Sequence, residues 1–278
     1  MVGFKKPAKL AKPKRNVIKV LSNVRQVVKI EHIPEPDAVW AWGKADCEFL
    51  PQKGLKICVW NIWKQSGGQQ FLKEFQKVID GSDLIMCQEA LLAPNAFEIF
   101  APSGFEAIHA ATYRRLDGAR DGVLTMSRVQ SLMEGIRIIS TTAEPFVKTT
   151  KAALITFYKT DNEIGKNSLA IVNIHSTLLR RPKTAGSEIR RILEFLENHN
   201  GPMIFAGDFN TFTPAYFQEM ATALYELGFK HADIVDDPRI KLARLDQVFY
   251  KGILLKSVNV DVSYKHSDHF PIFCEFVL

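Results

Sequence analysis

Eight residues have the types and placement to do chemistry: Asn61, Glu89, His175, Asp208, Asn210, Asp246, Asp268 and His269. Each stands at the end of an apolar run or beside one. LKICVW is followed by Asn61, DLIMCQ by Glu89, SLAIVNI by His175, and PMIFAG by Asp208; LDQVFY carries Asp246, and SDHFPIFCEF opens with Asp268 and His269. Side chains alternate faces along extended backbone, so Asp208 and Asn210 point the same way, and Gly207 permits a tight turn just before them. The set holds hard oxygen donors and two imidazoles without a thiolate, which favours Mg²⁺, Mn²⁺ or Ca²⁺ over zinc. A divalent ion, a carboxylate that orients water and two histidine donors suit in-line attack on a phosphodiester. HExxH, paired CxxC and the GxSxG serine elbow are all absent from the sequence. Taken singly, each residue has an ordinary role: Asn61 as a turn residue, GDFN as an Asx-type turn, Asp246 as a salt-bridge acid. Their coincidence in one order is what points to a site.

The elements that must position them alternate from Leu55 onward. Apolar runs predict strands over 55–60, 83–87, 105–110, 122–127, 152–158, 168–174, 202–206, 245–250, 253–262 and 271–277. Helical spacing places Phe71, Phe75, Val78 and Ile79 on one face of a helix over 69–79, and Ile189, Ile192, Leu193 and Leu196 on one over 187–199, with Ser187 as N-cap. Thr213 and Pro214 read as N-cap and first residue of a third helix, ending at about residue 227. Many strands with few helices between them predict a mixed α/β protein with more than one sheet. A doubly wound nucleotide fold is disfavoured, because no Gly-rich phosphate loop follows the first strand. Residues 1–16 read as flexible, 17–30 as an amphipathic surface helix, and 31–54 as an irregular lead-in anchored by Trp40 and Trp42.

The 278 residues, 46% hydrophobic and 24% charged, exclude a disordered or fibrous chain. No apolar run approaches the roughly 18 residues of a membrane span, and no secretory h-region opens the chain. Cys47, Cys58, Cys87 and Cys274 lack the spacing of a disulfide framework. A cytoplasmic, reducing location is therefore expected. The net charge of +6 is unevenly spread: nine of the 36 Lys/Arg fall in residues 1–30, which hold no acid, and the rest of the chain sets 27 bases against all 30 acids. A basic arm of this kind suits a polyanion, either nucleic acid or an anionic membrane surface, and also serves as a solubilising tail.

The ordered set WN at 60–61, QE at 88–89, NIH at 173–175, GDFN at 207–210, LD at 245–246 and SDH at 267–269 resembles the endonuclease/exonuclease/phosphatase superfamily, whose best-known member is DNase I. The resemblance covers residues 55–278, and WNIWKQ, LIMCQEA, GDFNT, LDQVFYKG and SDHFP are most similar to a bacterial, YafD-like subgroup. It implies a four-layer α/β sandwich, two packed mixed β-sheets flanked by helices, with the site at one end of the sheets. Residues 45–278 would form the catalytic domain behind an extension of 1–44. Glu89 would be the main ligand of Mg²⁺, or of Mn²⁺ in its place, with Asn61 and Asp268 as metal or phosphate contacts. Asp208 would deprotonate water, Asn210 would fix that water or a phosphate oxygen, His269 backed by Asp246 would stabilise phosphoryl charge, and His175 would bond the phosphate or assist the leaving group.

Arg114, Arg115 and Arg120 precede the strand DGVLTMSR, and Arg180 and Arg181 follow His175; in loops overhanging the site they would hold polynucleotide phosphates. LDQVFYKG lacks the WxDR signature of inositol polyphosphate 5-phosphatases, and the segment after GDFN lacks the Asn-rich loop of abasic-site endonucleases. The expectation is a divalent-metal-dependent phosphodiesterase, a nuclease first. A phosphatase or phospholipase-type hydrolase of a small or lipid phosphate is the alternative, and a non-catalytic binding protein on the same fold a third reading.

Overall fold

The computed structural model describes residues 30–93, 97–100, 102–144, 148–160, 168–178, 182–239 and 245–278. Two sheets dominate it. The first runs β1 (Ile30–Glu31), β5 (Glu106–Arg115), β6 (Arg120–Ser127), β4 (Leu84–Leu92), β3 (Lys53–Asn61), β14 (Ile272–Val277) and β13 (Leu254–Val260), with β2 (Val39–Gly43) also paired to β5. The second runs β11 (Lys230–His231), β12 (Asp246–Lys251), β10 (Met203–Asp208), β9 (Ser168–His175), β8 (Ala152–Lys159) and β7 (Ile136–Ile139). Both are mixed: β3 is parallel to β4, and β9 to β10, while the other pairings are antiparallel.

Strand periodicity explains the layering. Along β3, Leu55, Ile57 and Val59 face the second sheet and meet Leu169, Ile171, Ile204, Ala206 and Val248. Cys58 and Trp60 face the other way, onto Phe71, Phe75 and Val78 of helix α1 (Gly68–Gly81). Outside the second sheet, helices α2 (Pro182–Glu194) and α3 (Pro214–Tyr225) pack Ile189, Ile192, Met220 and Leu224 against Val172, Phe205 and Phe249. The result is the expected four layers, helix, sheet, sheet, helices. Strands covered on both faces read as continuous apolar runs, which is why they were legible.

One polar seam crosses the inter-sheet core. Gln88 of β4 donates to Asn173 Oδ1 of β9 at 2.7 Å, and Asn173 Nδ2 donates to the Leu124 and Cys87 carbonyls at 2.9 and 3.2 Å. Both side chains are fully buried.

Several expectations are corrected. Residues 31–54 are not irregular throughout: Val39–Gly43 forms β2, whose register with β5 places Trp40 opposite His109, so strands of the first sheet precede residue 45. The second helix spans Pro182–Glu194 rather than 187–199. Ser187 lies inside it, donating to the Thr184 carbonyl at 3.0 Å instead of capping it, a back-bond open to any mid-helix serine. Thr213 does cap the third helix, accepting from Tyr216 N. The helix expected over 17–30 lies outside the described residues up to 29, and Ile30 opens β1. Among the described residues no helix is long and apolar enough to cross a membrane. All four cysteines are free thiols; Cys47 is exposed and the other three are buried.

Gly207 shows how closely β9 and β10 approach just before the polar strand ends. It adopts φ 139°, and a Cβ there would lie 2.0 Å from the Ile174 carbonyl oxygen. We expect Gly207→Ala to cost about 3 kcal/mol or more through backbone strain and overpacking. Chemical denaturation would read it, and a midpoint equal to wild type would contradict the assignment.

Candidate active site

The strand ends converge. Asp208 ends β10, and the ladder sets it opposite His175 of β9 on one side and Asp246 of β12 on the other. From the first sheet, Asn61 ends β3, while Glu89 sits on β4 at a break in its pairing with β6 between Cys87 and Ala90. The segment before β14 brings in Asp268 and His269, moored to β3 by the Trp60 indole donating to the His269 carbonyl at 2.9 Å and Ser267 Oγ donating to the Asn61 carbonyl at 2.6 Å.

Asp208 is the centre of the cleft. It is 2% exposed. Its Oδ2 accepts from Asn61 Nδ2 at 3.0 Å and lies 3.5 Å from His175 Nε2 and 4.0 Å from His269 Nε2. Its Oδ1 accepts the Asn210 backbone N–H at 2.9 Å, an Asx turn that holds Asn210 at φ 54°. Asn210 Nδ2 in turn donates to the Ser176 carbonyl at 2.7 Å. His269 Nδ1 lies 2.8 Å from Asp246 Oδ2. Behind Asp246, buried Arg239 donates to the Asp246 carbonyl at 3.1 Å and is ion-paired to Asp237 at 2.9 Å.

Glu89 faces this group across the cleft, with Oε1 4.0 Å from His175 Nε2. It has φ 51°, and so lies on the left-handed side that costs a non-glycine residue about 1 kcal/mol or more. The bulge lets Gln88 point into the inter-sheet seam while the Glu89 carboxylate reaches the cleft. Two residues that the sequence reading passed over sit here. The Lys64 ammonium bonds Glu89 Oε2 and lies 3.5 Å from Asp121 Oδ2. Lys64 belongs to three consecutive left-handed residues, Trp63, Lys64 and Gln65, with φ of 43°, 55° and 55°.

The electrostatics separate these groups. Burial raises the Asp208 carboxyl to about 6, with the Asp246 charge adding to the rise and the His269 charge and the Asn210 and Asn61 bonds opposing it. Burial works against charge on His269, but the Asp246 carboxylate overrides it and lifts the imidazole to about 10, assisted by Asp208 and Asp268. His175 is held well below 6.5 by burial and by the Lys151 charge. Burial also opposes charge on Glu89, yet His175, Lys64 and Lys151 hold that carboxyl down at about 2. Because His175 is itself neutral near pH 7, the two lysines supply that stabilisation. Asp268 is exposed at the rim and modestly raised by partial burial.

The donor set fits a hard divalent cation at Glu89, whose ionised carboxylate already carries a cation in the Lys64 ammonium. Asp208, Asp246 and His269 also offer three ligand atoms within 4.8 Å of one another.

The expected arginines divide. Arg120 is committed to the fold: its guanidinium stacks 3.2 Å from the Trp40 ring centroid and donates to the Asp37 carbonyl at 2.8 Å, which removes it from any substrate role. Arg114 and Arg115 are partly exposed at the end of β5, and Arg114 stands in register with Arg120. Arg180 and Arg181 lie outside the described residues.

The pairing of His269 with Asp246 has a measurable sign. An imidazole lifted from 6.5 to about 10 contributes stability that is complete below pH 6.5 and is lost as pH rises through the folded-state value. Denaturation midpoints should therefore fall between pH 6.5 and 10, and Asp246→Asn should flatten that fall. A decline equally steep in both proteins would count against the ion pair.

Residues 58–269 match the model of the Endonuclease/Exonuclease/phosphatase family. A UPF0294 protein of Erwinia tasmaniensis is 31% identical over 234 residues, covering 80% of this chain and 81% of its own. The crystal structure of an endonuclease/exonuclease/phosphatase from Beutenbergia cavernae aligns with a TM-score of 0.65 at 16% identity, covering 81% of this chain and 72% of that one. D. rerio TDP2 complexed with a single-strand DNA product aligns with a TM-score of 0.53 at 16% identity, covering 80% of this chain and 98% of that one.

Proposed function

Because the chain belongs to the Endonuclease/Exonuclease/phosphatase family, within its YafD-like UPF0294 branch, we propose that it is a divalent-metal-dependent phosphodiester hydrolase acting on nucleic acid. The observation that carries this reading is the Asp208 carboxylate, set between the His175 and His269 ring nitrogens with Glu89 across the cleft. Raised to about 6, Asp208 is ionised at neutral pH yet basic enough to take a proton from an attacking water. The Asn61 amide and the Asn210 N–H fix both of its oxygens, so the base has one orientation. His269, kept protonated by Asp246, presents Nε2–H to a phosphoryl oxygen, where a donor aimed at developing charge is worth about 3 kcal/mol of barrier. Neutral His175 stands beside Asp208 to hydrogen-bond the phosphate or the departing oxygen. Glu89, with Asn61 and Asp268, would hold a divalent ion, which would neutralise phosphoryl charge and activate water when bound.

The family name itself spans nucleases and phosphatases, and charge favours the former. Strand β1 pairs Ile30 with Arg115 and Glu31 with Arg114, and the sequence before it, residues 1–29, carries nine Lys/Arg and no acid. Those nine cations favour a polyanion that extends beyond the scissile phosphate.

Single-stranded, duplex and RNA oligonucleotides, a generic phosphodiester, inositol phosphates and sphingomyelin, each with Mg²⁺, Mn²⁺ or EDTA, test the proposal together. Oligonucleotide cleavage should require metal and fall about a thousandfold in Asp208→Ala, within the range for a lost general base. Equal turnover by the variant would remove Asp208 from the chemistry, and cleavage confined to inositol or lipid phosphates would remove nucleic acid. Deleting residues 1–29 should weaken oligonucleotide binding at low salt and flatten its salt dependence; an unchanged slope would deny the arm a role in binding.

A further inference from the structure

One cation in the cleft has two carboxylates to choose between. Lys64 Nζ rests on Glu89 Oε2 and lies 3.5 Å from Asp121 Oδ2. Asp121 is only 3% exposed, and its Oδ2 is buried without a hydrogen-bond donor, so it can take the ammonium closer than it now does. The neighbouring Tyr113 hydroxyl is bonded to the Asp121 carboxyl, leaving Oδ2 as the oxygen that faces the lysine. The left-handed run at Trp63, Lys64 and Gln65 holds the backbone of Lys64 at the cleft, with the Trp63 N–H bonded to Asn61 Oδ1 at 3.1 Å and Ser66 Oγ to the Trp63 carbonyl at 2.9 Å. Outlying backbone of this kind persists only where the surroundings fix it. The lysine side chain is 37% exposed, which leaves it room to turn toward Asp121.

We propose that Lys64 is a tethered counter-ion that occupies Glu89 in the metal-free protein and moves onto Asp121 when a divalent cation takes that carboxylate. This rests on the reading of the cleft as a divalent-metal site. Lys64 is then a positioning residue with two seats. On Glu89 it compensates the carboxylate that the fold aims into the cleft. On Asp121 it neutralises a buried acid that burial otherwise pushes toward protonation. Its retreat leaves Glu89 with a full negative charge for the cation, and the competition between ammonium and metal sets the affinity.

The two carboxylates give the proposal opposite signs to test. In calorimetric titrations of the full chain with Mn²⁺ alone, Lys64→Met should bind the ion about tenfold more tightly than wild type, because one competing charge is gone. Asp121→Asn should bind it about threefold or more weakly, because Lys64 loses the seat to which it retreats. A residue that merely shapes the site would weaken binding in both variants. Lys64→Met binding no more tightly than wild type overturns the proposal, and so does Asp121→Asn binding no more weakly. Should Asp121→Asn fail to fold by circular dichroism, the partly exposed Lys64→Met decides alone. Absence of Mn²⁺ binding by wild type and Lys64→Met alike would instead overturn the metal reading, and this inference with it.

Discussion

The site depends on two sheets keeping one register, and the seam of Gln88 and Asn173 is what specifies that register. A dry core of Leu, Ile and Val would pack nearly as well with the sheets shifted. Asn173 removes that freedom, because its amide must meet the Cys87 and Leu124 carbonyls and the Gln88 amide from the opposite sheet. A buried amide without partners costs about 1–3 kcal/mol, so a shifted arrangement is penalised at several groups together. Asn173 lies two residues before His175, and Gln88 immediately before Glu89. The contact that aligns the sheets thus aligns the two sides of the cleft.

Within that frame, most acids around the cleft meet a cation. Asp246 answers His269, Asp237 answers Arg239, and Glu89 and Asp121 share Lys64. Asp208 differs in having amide and backbone donors in place of a close ion pair. That difference is the physical reason its proton affinity rises toward neutrality while Glu89 is held strongly ionised, and it divides the labour between carboxylates a few ångströms apart.

Much of this was legible in the sequence because strand ends leave a simple trace. Asn61, Glu89, His175, Asp208 and Asp246 each break or border an apolar run, and the ten expected strands all appear. What escaped were features created by pairing across the chain. Neither Lys64 nor Asp121 stands out until β6 packs beside β4 and brings them together. Arg120 looked available because nothing local shows that Trp40, eighty residues earlier, stacks on it. The misplaced start of the second helix has the opposite cause, a local signal at Ser187 that drew attention from Pro182, whose fixed φ suits the first position of a helix.

The hairpin joining β5 to β6 has a practical consequence. Its turn is closed by the Arg115 N–H bonding the Ala119 carbonyl at 2.8 Å, and Leu116 at its tip is 65% exposed. The pairing of Tyr113 with Asp121 lies below that closure, inside the ladder. The tip is thus a natural graft point: a foreign recognition loop spliced between residues 115 and 119 would stand at the lip of the cleft while the scaffold beneath stays as it is. An engineer could thereby redirect which molecules the protein meets without rebuilding its reactive groups.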